Sequence, residues 1–583
     1  MADSLLYEIS NSTELTGEPF TRKDVVYILD QNNSNYGNNT IILDTASVSN
    51  SGKYVSFQSS RITIPLLITM TSQFNFSTIP TDFCVGLKNG AHHLINSLNV
   101  EYNNSSVVQV SNFTNMYISY KLNTTMDLDS VVTVGTQILF SPDTSTSWYY
   151  TNGPTVAGQG SINNDDDLLS TNFAARYQGT SGNFGFARRQ IQNTFSSGQG
   201  GVTTLLGANW SSVSAQVNRP FTIKSTVASP GGYWQQSWNI LATIRLKDLS
   251  DFFEKLPLCR GPFIKLYLYL NQCKTTLTIY GNNSAPIIAG ALGVTNQGIS
   301  IQGGNTNPLL IASGRTTASG MYSLANGPGG GGIAVGVGQQ EFDQTFTISV
   351  SILNSLDQNC IAPYNRYQGQ TSCRLYCDLY TMNPLKEEEY LLTNRTKTVE
   401  YRDIFQYQFL NIGQGSANFL VSNGISDLVE IVCCPFISSS YNGTGVAGTS
   451  FSTLASPFSS EPATCSPCMW VNNFNIQLSS VNCFINSKQF LYEQFQDELY
   501  GVGAVNGGMT DGVNSGLISQ TDFYNNYGYL VANAARRLPE EDRTPKSVQV
   551  LLNNVTQVPM DLYVFCVMRK SIQISVYDGK RLS

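Results

Sequence analysis

The stretch that most restricts the fold runs from Phe83 to Asn123, FCVGLKNGAHHLINSLNVEYNNSSVVQVSNFTNMYISYKLN. Leu94 to Tyr102 has strand character, and Val107 to Val110 makes a second short strand. Asn103-Asn104-Ser105 between them tolerate the left-handed conformations of a tight hairpin turn. Phe113, Met116, Tyr117 and Tyr120 then recur at i, i+3, i+4 and i+7, the apolar stripe of a helix. Ser111 or Asn112 is placed to cap it. A hairpin that passes straight into an amphipathic helix implies a sheet face for that helix to cover.

The remaining regular signals are mostly strands. Ile62, Ile64, Leu66, Ile68 and Met70 alternate along Arg61–Met70, with Pro65 on the opposite face. Proline donates to no ladder, so this strand is expected at an edge or with a bulge. Ile240–Lys247 is a strand. Leu249, Phe252, Phe253 and Leu256 follow at helical spacing, with Asp248 as N-cap and Pro257 as stop. Ile264, Leu266, Leu268 and Leu270 alternate next, and Thr275–Tyr280 supplies a partner. Phe346, Ile348, Val350 and Ile352 alternate with Thr and Ser, a half-buried antiparallel strand. Further strands fall at Cys373–Met382, Ile404–Ile412, Leu428–Ile437, Phe474–Leu478, Val548–Leu552, Leu562–Met568 and Ile572–Val576. Leu491, Phe495 and Leu499 mark a helix in the second half. The order of elements in the first half recurs in the second, and an Ala-Arg-Arg stands late in each, at 187–189 and 535–537.

At 583 residues the chain has room for two domains with sizeable cores. Only 13% of residues are charged, which with abundant Asn, Ser, Thr, Gly and Tyr suits sheets joined by polar loops. A net charge of −7 argues against a dedicated nucleic-acid binder, because phosphate contacts need clustered Lys and Arg. The start, MADSLLYEIS, lacks the basic and apolar regions of a secretory signal. No run of about 18 apolar residues is available to cross a membrane as a helix. The twelve cysteines are scattered and read as buried thiols.

The expected division is an N-terminal arm over 1–49, a first domain over 50–356 and a second over 357–583, with about eight strand candidates in each domain. Two Gly/Ser/Asn-rich excursions, near 141–235 and 282–340, interrupt the first domain. Trp148, Tyr149, Tyr150, Trp210 and Trp234 are expected to anchor the first of them by burial.

The runs GLKNG, NSLNVEYNNSSVVQ and FTNMYISYKL resemble the first jelly roll of the major capsid proteins of polinton-like viruses and virophages, in the adenovirus hexon lineage. Tyr54-Val-Ser-Phe57 through Arg61-Ile-Thr-Ile-Pro65 resembles that family's first strand. The resemblance is specific from Tyr54 to Asn123 and looser elsewhere. It implies an all-β chain of two tandem eight-stranded antiparallel jelly rolls with a few short helices and long loop insertions. It further implies a virion protein made inside the host cell, without secretion. Three copies would form a pseudo-hexameric capsomer of an icosahedral capsid, contacting neighbouring capsomers, penton and minor capsid proteins. The two excursions would build the outward tower and the clamp between subunits.

No residue pattern assigns catalysis, a cofactor or a metal. His92 and His93 are the only histidines, and neighbours in a strand point to opposite faces. They are read as ordinary imidazoles rather than a catalytic or zinc pair. Cys465-x-x-Cys468 with Cys433-Cys434 contains a single CxxC, too little for a structural zinc site, and Cys373 and Cys377 are core thiols. The Gly-rich run 327–338 lacks the Lys-Ser/Thr of a phosphate loop. Asp165-Asp166-Asp167 lacks the spacing of an EF-hand, and Lys386–Glu389 reads as a solvated face. Two rival readings use the same sandwiches. One is a jelly-roll carbohydrate-binding or host-attachment protein, with Trp148 and Tyr149 stacking on sugars. The other is a carbohydrate-active enzyme using carboxylates alone.

Overall fold

The computed structural model of the chain describes residues 18–72, 83–142, 190–193, 223–228, 234–279, 299–302, 308–313, 344–352, 372–438, 469–504, 516–534 and 545–582, apart from single residues and pairs within those spans. In chain order the strands up to residue 382 are β1 (Phe20–Leu29), β2 (Thr40–Asp44), β3 (Tyr54–Ser72), β4 (Phe83–Leu87), β5 (Ile95–Tyr102), β6 (Ser105–Val110), β7 (Gln190–Asn193), β8 (Ile223–Ala228), β9 (Trp234–Arg245), β10 (Cys259–Arg260), β11 (Ile264–Leu270), β12 (Cys273–Ile279), β13 (Ile299–Gln302), β14 (Leu309–Ser313), β15 (Gln344–Ile352) and β16 (Arg374–Met382). After the helix Pro384–Thr393 come β17 (Thr396–Ile412), β18 (Gly415–Ile425), β19 (Leu428–Ile437), β20 (Val471–Leu478), β21 (Val481–Asn482), β22 (Leu530–Asn533), β23 (Lys546–Asn554) and β24 (Met560–Ser575).

The second half is the simpler sandwich. One sheet runs β17-β24-β19-β22 and the other β18-β23-β20-β21. Counted along the chain, the orders are 1-8-3-6 and 2-7-4-5, the two sheets of a jelly roll. The first half repeats both orders. Its sheets contain β1-β16-β3-β9 and β2-β11-β5-β6, and these eight strands number 1-8-3-6 and 2-7-4-5 once the inserted strands are set aside. The fold is therefore a double jelly roll, established by its own antiparallel pairing.

This pairing moves both expected boundaries. The arm assigned to 1–49 contains β1 and β2, the first two strands of the first sandwich. Val25–Leu29 pairs with Asp378–Arg374, and Thr40–Asp44 pairs with Tyr269–Lys265. The seam expected near 356 lies past Met382, because β16 inserts between β1 and β3 and completes the first sheet. Tyr54–Pro65, compared above with a first strand, belongs to β3, the third.

Pro65 lies in a central strand, which corrects the edge alternative; β3 does carry an irregularity, though not at Pro65, since its register against β16 shifts between Ser56 and Arg61. On one side Pro65 pairs with Leu241 of β9. On the other, β16 reaches only to Thr63 and β15 begins only at Leu66. Pro65 sits where one neighbour hands over to the next.

Alternating faces build both cores. Ile41, Leu43, Ile62, Ile64, Leu98 and Leu266 meet inside the first sandwich, and Ile431, Phe474, Val548, Val550, Leu562 and Val564 inside the second, all buried. Each such side chain contributes roughly 1.5–3 kcal/mol. Cys373 and Cys377 are buried on the inward face of β16, as their spacing requires. The hairpin between β5 and β6 turns on Asn103 and Asn104, both with positive φ. Ser479 and Ser480 do the same between β20 and β21.

Three of the inserted strands pair only with one another. Strand β4 comes from the connection between β3 and β5, β7 from that between β6 and β9, and β14 from that between β11 and β16. These three form a sheet of their own, β14-β4-β7. Trp148, Tyr149, Tyr150, Trp210, the Gly-rich run, the triple aspartate and both Ala-Arg-Arg triplets lie outside the described residues.

Deleting residues 1–29 removes β1 and leaves the apolar edge of β16 unpaired. Expected is a large loss of soluble protein, or a melting temperature lower by several degrees. Unchanged thermal denaturation would show that β1 is dispensable, as an arm would be.

Candidate functional site

The helix Thr114–Thr125 follows the β5–β6 hairpin and lies between the two sandwiches. Its sequence stripe describes half of its surroundings. Phe113, Tyr117 and Tyr120 face the second sandwich. Phe113 packs on Tyr563 at 5.0 Å between ring centroids, Tyr117 on Phe565 at 5.8 Å, and Tyr120 on Tyr529 at 5.1 Å. The opposite stripe, Asn115, Ser119 and Asn123, is polar and equally buried. From Thr114 to Tyr120 the helix is buried all round, and only its last turn, at Lys121, Thr124 and Thr125, reaches solvent.

The start of this helix differs from the expected cap. Phe113 itself occupies the N-cap position in the left-handed region, with φ 63°, and no side chain caps the first turn. Such a conformation costs a bulky residue roughly 1–3 kcal/mol. Burying the Phe113 ring against Tyr563 offsets it. The later helical stripe also divides, into Leu246–Leu249 and Asp251–Lys255. Ser250 caps the second piece, and Asp248 instead receives two hydrogen bonds from Arg245, at 2.6 and 2.8 Å.

His92 and His93 stand on the polar side of the junction helix. The expectation that they diverge fails because Ala91–Leu94 is a 3₁₀ turn and not a strand. The tighter winding lets adjacent side chains converge. Both Nε2 atoms reach the Ser119 hydroxyl, at 2.7 and 2.9 Å, and the rings are 4.5 Å apart. Asn115 Nδ2 donates to His93 Nδ1 at 2.9 Å. With that bond in place His93 Nε2 donates to Ser119 Oγ, whose proton goes to His92 Nε2. The pair clasps the helix to the first sandwich.

Further polar contacts cross the junction. Tyr102 Oη and Asn103 Nδ2 donate to the Gly579 carbonyl at 2.7 and 2.9 Å. Tyr401 Oη donates to the Val107 carbonyl. Leu517 N donates to the Asn123 carbonyl at 2.8 Å, closing the helix's C-terminal end. Gly516, with φ +66°, makes this approach feasible, since a Cβ there would lie 2.5 Å from the Asn123 oxygen.

Glu430 on β19 is the charged group within this contact. It is 3% exposed, and its Oε1 accepts the Tyr120 phenol hydrogen. From Glu430 onward the even-numbered residues of β19 face the junction helix, as the ring contact between Phe436 and Tyr563 also shows. Cys433 and Cys434 therefore point to opposite faces and cannot share one ion. Cys465 and Cys468 lie outside the described residues. Burial raises the Glu430 carboxyl above its ordinary value and pushes the Tyr120 phenol well above its own. Beside Glu430 a cavity of about 250 Å³ opens between the sandwiches, bounded also by Tyr117, Leu249, Asp251 and Arg402. None of these cavity residues was singled out as a site from sequence. The one available signal was Glu430 itself, a lone carboxylate within the apolar run LVEIVCCPFI.

No family model matches the chain, and no curated protein does. Solved structures similar over nearly its whole length include three viral ones. The Sputnik virophage structure determined by cryo-EM matches at 12% identity and TM-score 0.47, over 98% of this chain and 90% of that one. The mavirus major capsid protein matches at 11% and 0.39, over 99% and 93%. The Faustovirus major capsid protein matches at 10% and 0.38, over 99% and 94%.

Two measurements probe the junction. Folding raises the Glu430 pKa, so the junction is most stable with that carboxyl protonated. Stability falls as pH climbs from the ordinary value of 4.5 through the higher folded-state value, by up to about 1.4 kcal/mol per pH unit. Glu430→Gln is expected to flatten this part of the stability–pH curve; an unaltered curve would contradict the assignment. Ser119→Ala leaves imidazole nitrogens buried without their hydroxyl and is expected to cost about 1–3 kcal/mol in denaturant unfolding.

Proposed function

We propose that this chain is the major capsid protein of an icosahedral virus, a structural subunit and not an enzyme. The observation that carries the reading is the repeat of one strand order, 1-8-3-6 and 2-7-4-5, in two consecutive sandwiches held by a buried helix. Such a subunit presents two similar sides to its neighbours. Three copies in a closed ring offer six sandwiches, a near-hexagonal outline from threefold symmetry. The sequence resemblance from Tyr54 to Asn123 points the same way. Val25, Tyr27 and Leu29 of the edge strand β1 are 55%, 55% and 52% exposed, an apolar stripe suited to a lateral seam. The sheet β14-β4-β7, which draws a strand from each of three connections, forms the base of a tower at one end of the first sandwich. Neighbouring capsomers, penton and minor capsid proteins are the further partners of this reading, and the virion is its location.

Light scattering coupled to gel filtration tests it. The purified full chain is expected at three times the monomer mass, with near-hexagonal outlines in negative-stain images. A monomer at every concentration, with no ring-shaped particles, would overturn the proposal.

A further inference from the structure

The cavity between the sandwiches has a polarity that the packing of the junction does not account for. At its inner end lies Glu430, 3% exposed. The Oε1 atom of Glu430 accepts from Tyr120, while no described residue donates to Oε2 and no basic side chain lies within ion-pair distance. The walls include Tyr117, Tyr120, Leu249 and Ile404, with Thr124, Thr125 and Ser250 as polar lining between them. At the outer end Arg402 is exposed. Its backbone N–H donates to Asp251 at 3.1 Å, while its guanidinium makes no hydrogen bond or ion pair with any described residue. Of the other charges around the opening, Asp251 lies beside Arg402 itself and the remaining two are committed elsewhere. Asp248 is held by Arg245, and Lys121 donates to the Lys247 carbonyl at 2.9 Å near Glu254.

A carboxylate inside and a guanidinium outside, near enough to feel each other's charge but joined by no ion pair across the cavity, define a ligand. We infer that this cavity binds a small zwitterion of the amino-acid class, its ammonium on Glu430 and its acidic group on Arg402. The ammonium would donate to Oε2 and lie against the faces of two phenol rings, where a cation is favoured. The acidic end would meet the fork of Arg402. The cavity admits only a short body. Because the walls come from both sandwiches, a bound ligand would fasten one to the other and stabilise the folded subunit by mass action.

Isothermal titration calorimetry on the full chain near neutral pH, with three matched probes, tests this. Expected is binding of 5-aminopentanoate, weaker binding of pentylamine and none of pentanoate. Glu430→Gln keeps an acceptor for Tyr120 but removes the charge, and is expected to weaken 5-aminopentanoate by about tenfold or more. Arg402→Ala alters an exposed side chain and is expected to reduce 5-aminopentanoate to the level of pentylamine while leaving pentylamine unchanged. The inference is overturned if none of the probes binds, if pentanoate binds as well as 5-aminopentanoate, or if both variants bind like the unsubstituted chain.

Discussion

The arrangement of this protein depends on one buried contact, that of the helix Thr114–Thr125 with the outer face of the sheet β17-β24-β19-β22. A jelly roll normally leaves the outer faces of its sheets to solvent, which is why its strands alternate. Here β24 reads Met560 to Val567 without a polar break except Asp561, and every one of those residues is buried. The inward set Leu562, Val564 and Cys566 fills the sandwich, and the outward set Tyr563 and Phe565 receives Phe113 and Tyr117. Two sandwiches that share a dry face of this kind behave as one body.

The junction uses aromatic rings and polar atoms in different ways. The rings of Phe113, Tyr117, Tyr120, Tyr529, Tyr563 and Phe565 supply area, and their edge-to-face and tilted contacts fix the rotation of the helix. The polar stripe on the other side fixes its height, because Ser119 must meet two imidazoles at once. A slide by one turn would leave buried donors and acceptors unmatched, at a cost greater than the apolar contacts alone would impose. Glu430 stands apart from both sets. A carboxylate buried without a basic partner is a cost, and the cavity beside it is where that cost can be offset.

Much of the fold was legible in the sequence, for a physical reason. Wherever one face of a strand is wet, the period of two appears, as in Ile264–Leu270 and Gln344–Ile352. The β5–β6 hairpin was legible because Asn103 and Asn104 tolerate positive φ. What failed were matters of partnership. Val25–Leu29 has the pattern of a short strand, yet nothing local places it in the first sheet, because its outer face carries exposed apolar residues where polar ones were expected. Pro65 suggested an edge, since nothing local announces that two different strands share one side of β3. His92 and His93 were read as divergent because a 3₁₀ turn and a short strand look alike over four residues.

Local chemistry in the chain determined its class: alternating strands, tight Asn-rich turns, an amphipathic helix after a hairpin, and few charges. Those properties depend on residues within one or two turns of each other. Tertiary structure alone decided which strands are neighbours, that β1 and β16 close the first sandwich, and that Glu430, Arg402 and Tyr120 border one cavity. These depend on pairs such as Tyr120 and Glu430, 310 positions apart, whose meeting is set by how whole sheets pack and leaves no periodic trace along the chain.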